Sequence, residues 1–117
     1  MRASILMFFL ATFSSTAFSL CKEGTMKDLR KHKNTRDMVY FASWCQSCVS
    51  SITESDPSKD IYLAVFDEQE AANDALKYVL GNKTAHARCI WDKSGEIAKS
   101  TGVSNLPKTL KYQDINK

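Results

Sequence analysis

Apolar and polar positions along the chain fall into two alternating kinds of run. Short blocks of apolar and aromatic residues, "DMVYFAS" at 37–43, "DIYLAVFD" at 60–67 and "ARCIWD" at 87–92, read as buried strands. A fourth strand candidate, "TLKYQDI" at 109–115, follows Pro107. Helical spacing fills the intervals. "TMKDLRKH" at 25–32 sets Met26 and Leu29 on one face behind Thr25 as a cap. "SWCQSCVSSITES" at 43–55 can start a helix with Ser43 as the cap, and Pro57 stops it. "EQEAANDALKYVLGN" at 68–82 spaces Ala71, Ala75, Leu76, Val79 and Leu80 along one helical face, with Gly81 to close it. After the turn "KSG", "EIAKSTG" at 96–102 is a short helix. Strands alternating with helices predict an α/β layer fold. Its sheet is expected to be mainly parallel, with helices on both faces.

The first nineteen residues break this pattern. Arg2 precedes an apolar run from Ile5 to Phe13, and Ala17 and Ser19 put small residues where a signal peptidase needs them. The reading is a signal peptide at 1–19 and one domain at 20–117, exported to a periplasm or secreted. A membrane span needs roughly 20 apolar residues, so membrane attachment is expected only if this segment stays uncleaved. The net charge is +3, and no basic run alternates with aromatics, so nucleic acid is not an expected partner. The basic stretch "KDLRKHK" at 27–33 reads as a solvated helix face.

All four cysteines, Cys21, Cys45, Cys48 and Cys89, lie beyond the expected cleavage point. Export favours disulfides. Cys45 and Cys48 sit three apart where a buried strand meets a helix, which admits three readings. With His86 and Cys89, themselves three apart, they make a Cys3His zinc set on paper. As a structural staple they would close too short a loop to stabilise much. As a redox pair they are well placed: unpaired helix N–H groups stabilise the thiolate of the first cysteine, and the second lies within bonding reach. Cys89 reads as a buried core thiol, with a Cys21–Cys89 disulfide as the alternative. His32 and His86 read as solvated, Trp91 as core, and Asp67 as a cap.

"VYFASWCQSC" resembles the active-site strand and helix of the thioredoxin family, and "GVSNLPKTLKY" at 102–112 resembles the loop that carries that family's cis-proline. With "DKSGEIAKS" before it, the pattern is similar to the exported TlpA/ResA-type branch, over residues 36 to 114. The resemblance implies a thioredoxin-like fold and a thiol–disulfide oxidoreductase that needs no cofactor. It assigns Cys45 as nucleophile, Cys48 as resolving cysteine, Trp44 as the flanking aromatic, Pro107 as the cis-proline and Leu106 as the residue that pairs with substrate backbone. The implied partners are proteins with cysteines or disulfides and an upstream thiol donor. By analogy the enzyme is expected to act as a reductant. A non-catalytic binding module built on the same loop is the alternative. Val39 stands where thioredoxin itself has a buried carboxylate, and Lys108 where the family often has threonine. The family ends with a further strand and helix after the segment matched by "TLKYQD", so the chain is expected to be a fragment of a longer protein.

Overall fold

The computed structural model describes residues 19–116. The segment 1–19 expected to be a signal peptide therefore lies outside the described residues, apart from Ser19. Nine regular elements run in the order β1 (Cys21–Glu23), α1 (Met26–Arg30), β2 (Asp37–Phe41), α2 (Cys48–Glu54), β3 (Ile61–Ala64), α3 (Gln69–Leu80), β4 (Arg88–Trp91), α4 (Glu96–Thr101) and β5 (Lys108–Lys111). Two 3-10 segments, Gly81–His86 and Tyr112–Asn116, follow α3 and β5.

The strands form one mixed sheet in the order β1-β4-β3-β2-β5. β1–β4, β4–β3 and β3–β2 pair parallel, while β5 runs antiparallel to β2. The α/β expectation holds. Parallel neighbours need a crossover, and each crossover here carries a helix.

Alternation along the strands divides the core into two layers. Val39 and Phe41 of β2, Tyr62 and Ala64 of β3 and Cys89 of β4 face α2 and α3, where they meet Cys48, Ile52, Ala72 and Leu76. Met38, Tyr40, Ile61, Leu63 and Ile90 face the other way, against Met26 and Leu29 of α1 and Ile97 and Ala98 of α4. A strand buried on both faces needs apolar residues at consecutive positions, which explains the unbroken runs in β2 and β3.

Polar groups lock the strand ends. Asp60, fully buried, receives Arg36 Nη2 at 2.8 Å and Nε at 3.1 Å, together with the Asp56 and Asp37 N–H groups, and so ties the start of β3 to the start of β2. Asp92, buried just past β4, accepts the N–H groups of Ile97 and Ala98, each at 2.9 Å, and caps α4. Truncating it leaves both donors short of a partner inside the protein. Asp92→Ala is therefore expected to lower stability by about 2 kcal/mol. Urea unfolding checks this, and an unchanged midpoint would remove the capping role.

Several expected boundaries move. The fourth strand ends at Lys111, because Tyr112 turns the chain back across the second core layer. The Tyr112 N–H donates to Arg36 O at 3.0 Å, and its buried ring sends its hydroxyl to Leu29 O at 2.9 Å. The helix expected from Ser43 starts at Cys48. In α3 the most buried residues are Ala72, Asn73, Leu76 and Leu80, while Ala71, Ala75 and Val79 lie half-buried. His32 is half-buried rather than solvated, and burial lowers its pKa below the ordinary histidine value.

β1 is an element that the hydrophobic pattern does not predict. Its Cys21 forms a disulfide with Cys89, the residue directly beside it across the parallel β1–β4 pair. Cys89 is thus not a free core thiol. On the other side of β1, the Asn73 Oδ1 accepts the Cys21 N–H at 2.6 Å, and Gln69 Nε2 donates to Cys21 O at 2.8 Å. Gln69 and Asn73 lie four apart on one face of α3. Their amides replace the neighbouring strand that this edge lacks, which accounts for a buried asparagine on an apolar helix face.

Candidate functional site

Cys45 and Cys48 form the second disulfide, with their Cα atoms 5.4 Å apart. They sit just past the end of β2, the strand between β3 and β5. The local chain explains their placement. The Cys45 N–H closes a turn onto Ala42 O at 3.1 Å, and the Cys48 and Val49 N–H groups then bond to Cys45 O and Gln46 O, each at 3.1 Å. Three tight i→i+3 turns therefore lead into α2, and Cys45 occupies the approach to the helix rather than its first turn. Ser47 takes the cap position, and Ser43 instead gives its N–H to Asp67. Cys45 is 8% exposed and Cys48 1%, so the first residue of the pair is the more accessible.

The loop between β3 and α3 braces this turn. Asp67 Oδ2 accepts the Ser43 N–H at 2.6 Å, and its Oδ1 accepts the Glu68 N–H at 2.9 Å. Trp44 Nε1 donates to Phe66 O at 2.9 Å, and Trp91 Nε1 to Asp67 O at 2.8 Å. Both indoles thus hold consecutive carbonyls of one short loop. Phe66 has φ 56°, a conformation that a non-glycine residue adopts only where its surroundings hold it. Trp44 and Phe66 remain largely exposed, at 61% and 46%, beside the cysteine turn. Trp91 is half-buried, with Lys93 Nζ 5.9 Å from its ring centroid.

Asp67 is thus not the cap of α3, whose N-cap is Glu68; its carboxylate instead braces the cysteine turn and its own loop. Asp67→Ala is expected to cost about 1–2 kcal/mol, because the Ser43 and Glu68 donors both lose their acceptor. Thermal unfolding measures it. A variant as stable as the parent would mean that water replaces the carboxylate without loss.

The Leu106–Pro107 peptide bond is cis. Leu106 packs, half-buried, against the core layer that contains Cys45 and Cys48, while Pro107 is exposed. The structure thus brings Trp44, Cys45, Cys48, Leu106 and Pro107 to the same end of the sheet.

The zinc set does not assemble. Cys89 is bonded to Cys21, and exposed His86 borders a shallow groove with Ser55, Asp56, Pro57, Ser58 and Lys83. Among the described residues no three His, Cys, Asp or Glu side chains gather as a metal site.

Proton handling around Cys48 has few candidates. Val39, buried in the same core layer as the pair, carries no titratable group. Tyr62 shares that layer, but burial raises its pKa and its hydroxyl is hydrogen-bonded to Ser55, so it stays a neutral phenol. The buried carboxylates of Asp60 and Asp92 are committed to Arg36 and to α4.

Phe66 and Asp67 belong to the site, although the hydrophobic pattern treats them as the end of a strand. The signal for Asp67 was a polar residue at a strand end; nothing in the sequence marks Phe66. No family model, curated protein or solved structure matches this chain.

Proposed function

We propose that this chain is a thioredoxin-like thiol–disulfide oxidoreductase that works in an exported compartment and reduces disulfides of protein substrates. The observation that carries the reading is the Cys45–Cys48 disulfide at the end of a central strand, more open at Cys45, with Leu106 packed against the same core layer.

The cycle begins from the reduced pair. The Cys45 thiolate attacks one sulfur of a substrate disulfide, and the other substrate sulfur leaves as a thiolate. The Cys48 thiolate then attacks the Cys45 sulfur of the mixed disulfide and expels the second substrate thiolate. Two electrons pass to the substrate, and Cys45–Cys48 is left oxidised. An upstream dithiol donor returns the two electrons by the same exchange in reverse. With Val39 rather than a carboxylate in this core layer, the proton released by Cys48 goes to water or to the departing substrate thiolate. Trp44 and Leu106–Pro107 flank the pair and would hold a substrate segment against it.

Reduction of insulin by dithiothreitol, followed with and without the protein, tests the reading. Catalysed precipitation that depends on both Cys45 and Cys48 is expected. Binding of disulfide-containing proteins without turnover would replace the enzyme by a binding module. The reduction potential of the pair, measured against glutathione, tests the direction: a value well below the glutathione couple is expected of a reductant.

A further inference from the structure

We propose that Phe66 is a specificity-determining residue, which selects substrate disulfides whose cysteine is flanked in sequence by an apolar or aromatic residue. The proposal rests on the oxidoreductase reading above and deepens it.

Phe66 stands where a phenylalanine is costly. Its φ of 56° lies in the left-handed region, where a Cβ crowds the backbone and glycine or asparagine is the usual occupant. Two hydrogen bonds hold the backbone there. The Val65 N–H donates to Phe41 O at 3.0 Å, and Trp44 Nε1 donates to Phe66 O at 2.9 Å. Neither needs a phenyl ring. Burial does not explain the ring either, since Phe66 is 46% exposed. A large apolar side chain kept in water at a strained position points to something that it binds.

Its surroundings indicate what. Among the described residues four large apolar side chains are exposed: Trp44, Val49, Phe66 and Tyr78. Trp44 precedes Cys45, Val49 follows Cys48, and the Trp44 indole is bonded to Phe66 O. Three of the four therefore gather at the cysteine pair. Single exposed apolar residues are ordinary, whereas a cluster beside a reacting group marks a contact surface.

Sheet order fixes where on the substrate this surface acts. β2 leads into the cysteine turn, with β5 on one side and β3 on the other. Leu106–Pro107 leads into β5, and Phe66 follows β3. A substrate cysteine at Cys45 thus lies between the two. Neighbouring strands are about 4.8 Å apart and an extended chain rises about 3.3 Å per residue, so the ring is within reach of a side chain about one or two positions from that cysteine. Asp67, half-buried, and Glu68, exposed, follow Phe66 directly. An acidic residue beside the substrate cysteine would forgo the contact with the ring and meet like charge. The surface accepts an apolar flank and rejects an acidic one.

Two capped peptides, each joined to its own copy through a single cysteine, test the proposal. One has Phe on both sides of the cysteine and the other has Glu. Their reduction by the full chain, recycled by dithiothreitol and corrected for the uncatalysed reaction, is expected to favour the Phe peptide at least about tenfold in kcat/KM. Phe66→Asn, which suits a left-handed backbone, is expected to bring the two within about twofold, and Phe66→Tyr to keep the preference. A residue that only supported the cysteine turn would slow both peptides alike and leave their ratio unchanged. Analogues with serine in place of cysteine read binding without exchange. The Phe analogue is expected to shift the amide signals of residues 66–68 of the isotope-labelled chain, and the Glu analogue to leave them in place. If neither disulfide peptide is reduced while the Phe analogue still shifts those signals, the oxidoreductase reading fails and Phe66 stands as the selecting residue of a binding module. Equal reduction of both peptides, a ratio that survives Phe66→Asn, or the absence of any shift at 66–68 would each overturn the proposal.

Discussion

A Cys48→Ser variant is expected to accumulate a covalent mixed disulfide with a protein substrate, while Cys45→Ser traps nothing. Each single variant should lose reductase activity by at least about a thousandfold, because neither sulfur can complete the exchange alone. The asymmetry follows from position. Cys45 lies on the approach to α2 and is the more exposed of the two, whereas Cys48 is the first helical residue and is sealed in the core layer beneath. On the proposed function, attack therefore falls to Cys45 and resolution to Cys48. In the reduced protein, iodoacetamide at mildly acidic pH should label Cys45 well before Cys48, since the positive end of α2 favours its thiolate. Mass spectrometry of the alkylated and trapped species reads both results. Prior labelling of Cys48, or trapping by Cys45→Ser, would reverse the roles.

Removing the other disulfide should act on stability and leave the exchange chemistry in place. Cys21 and Cys89 are 68 residues apart in sequence, and a bridge that closes a loop of that size is worth about 4 kcal/mol on the chain-entropy account. The double variant Cys21→Ala, Cys89→Ala is expected to lose about that much and to melt about 20 °C lower. Changing both residues together leaves no unpaired thiol to interfere with Cys45 or Cys48. Calorimetry of the oxidised proteins measures the loss, and insulin reduction below the new midpoint should remain near the parent rate. A shift of only a few degrees would mean that the Gln69 and Asn73 amides hold β1 without the bridge.

Much of this was legible in the sequence, and the gaps have physical causes. β2, β3 and β4 are apolar runs because they are buried on both faces, and such runs need no distant information to be recognised. The cysteine pair, Trp44 and Leu106–Pro107 were legible for a different reason: their spacing and flanking residues form local motifs. β1 was not. "CKE" has neither an apolar run nor a period, and it becomes a strand through Cys89, Gln69 and Asn73, all of which lie far along the chain. The start of α2 lies later than helical spacing indicates because i→i+3 turns from Ala42 to Val49 precede the helix. The end of β5 was misplaced as well. Tyr112 fits a strand by composition, but its hydroxyl finds its acceptor on α1.

Strand register places Cys21, Cys89, Tyr62 and Val39 in a single row across one face of the sheet. The row begins at the Cys21–Cys89 disulfide and ends at Val39, in the core layer that also holds Cys45 and Cys48. Four cysteines admit three pairings, and a shuttling thiolate on the same face as a second disulfide invites scrambling among them. Tyr62 stands in the way. β2 and β4 are two strand spacings apart, about 10 Å, and the side chain between them is a phenol that cannot pass on a sulfur exchange. On the proposed function, this row would act as an insulator: electrons delivered to Cys45–Cys48 would leave by substrate rather than pass into the bridge that holds β1.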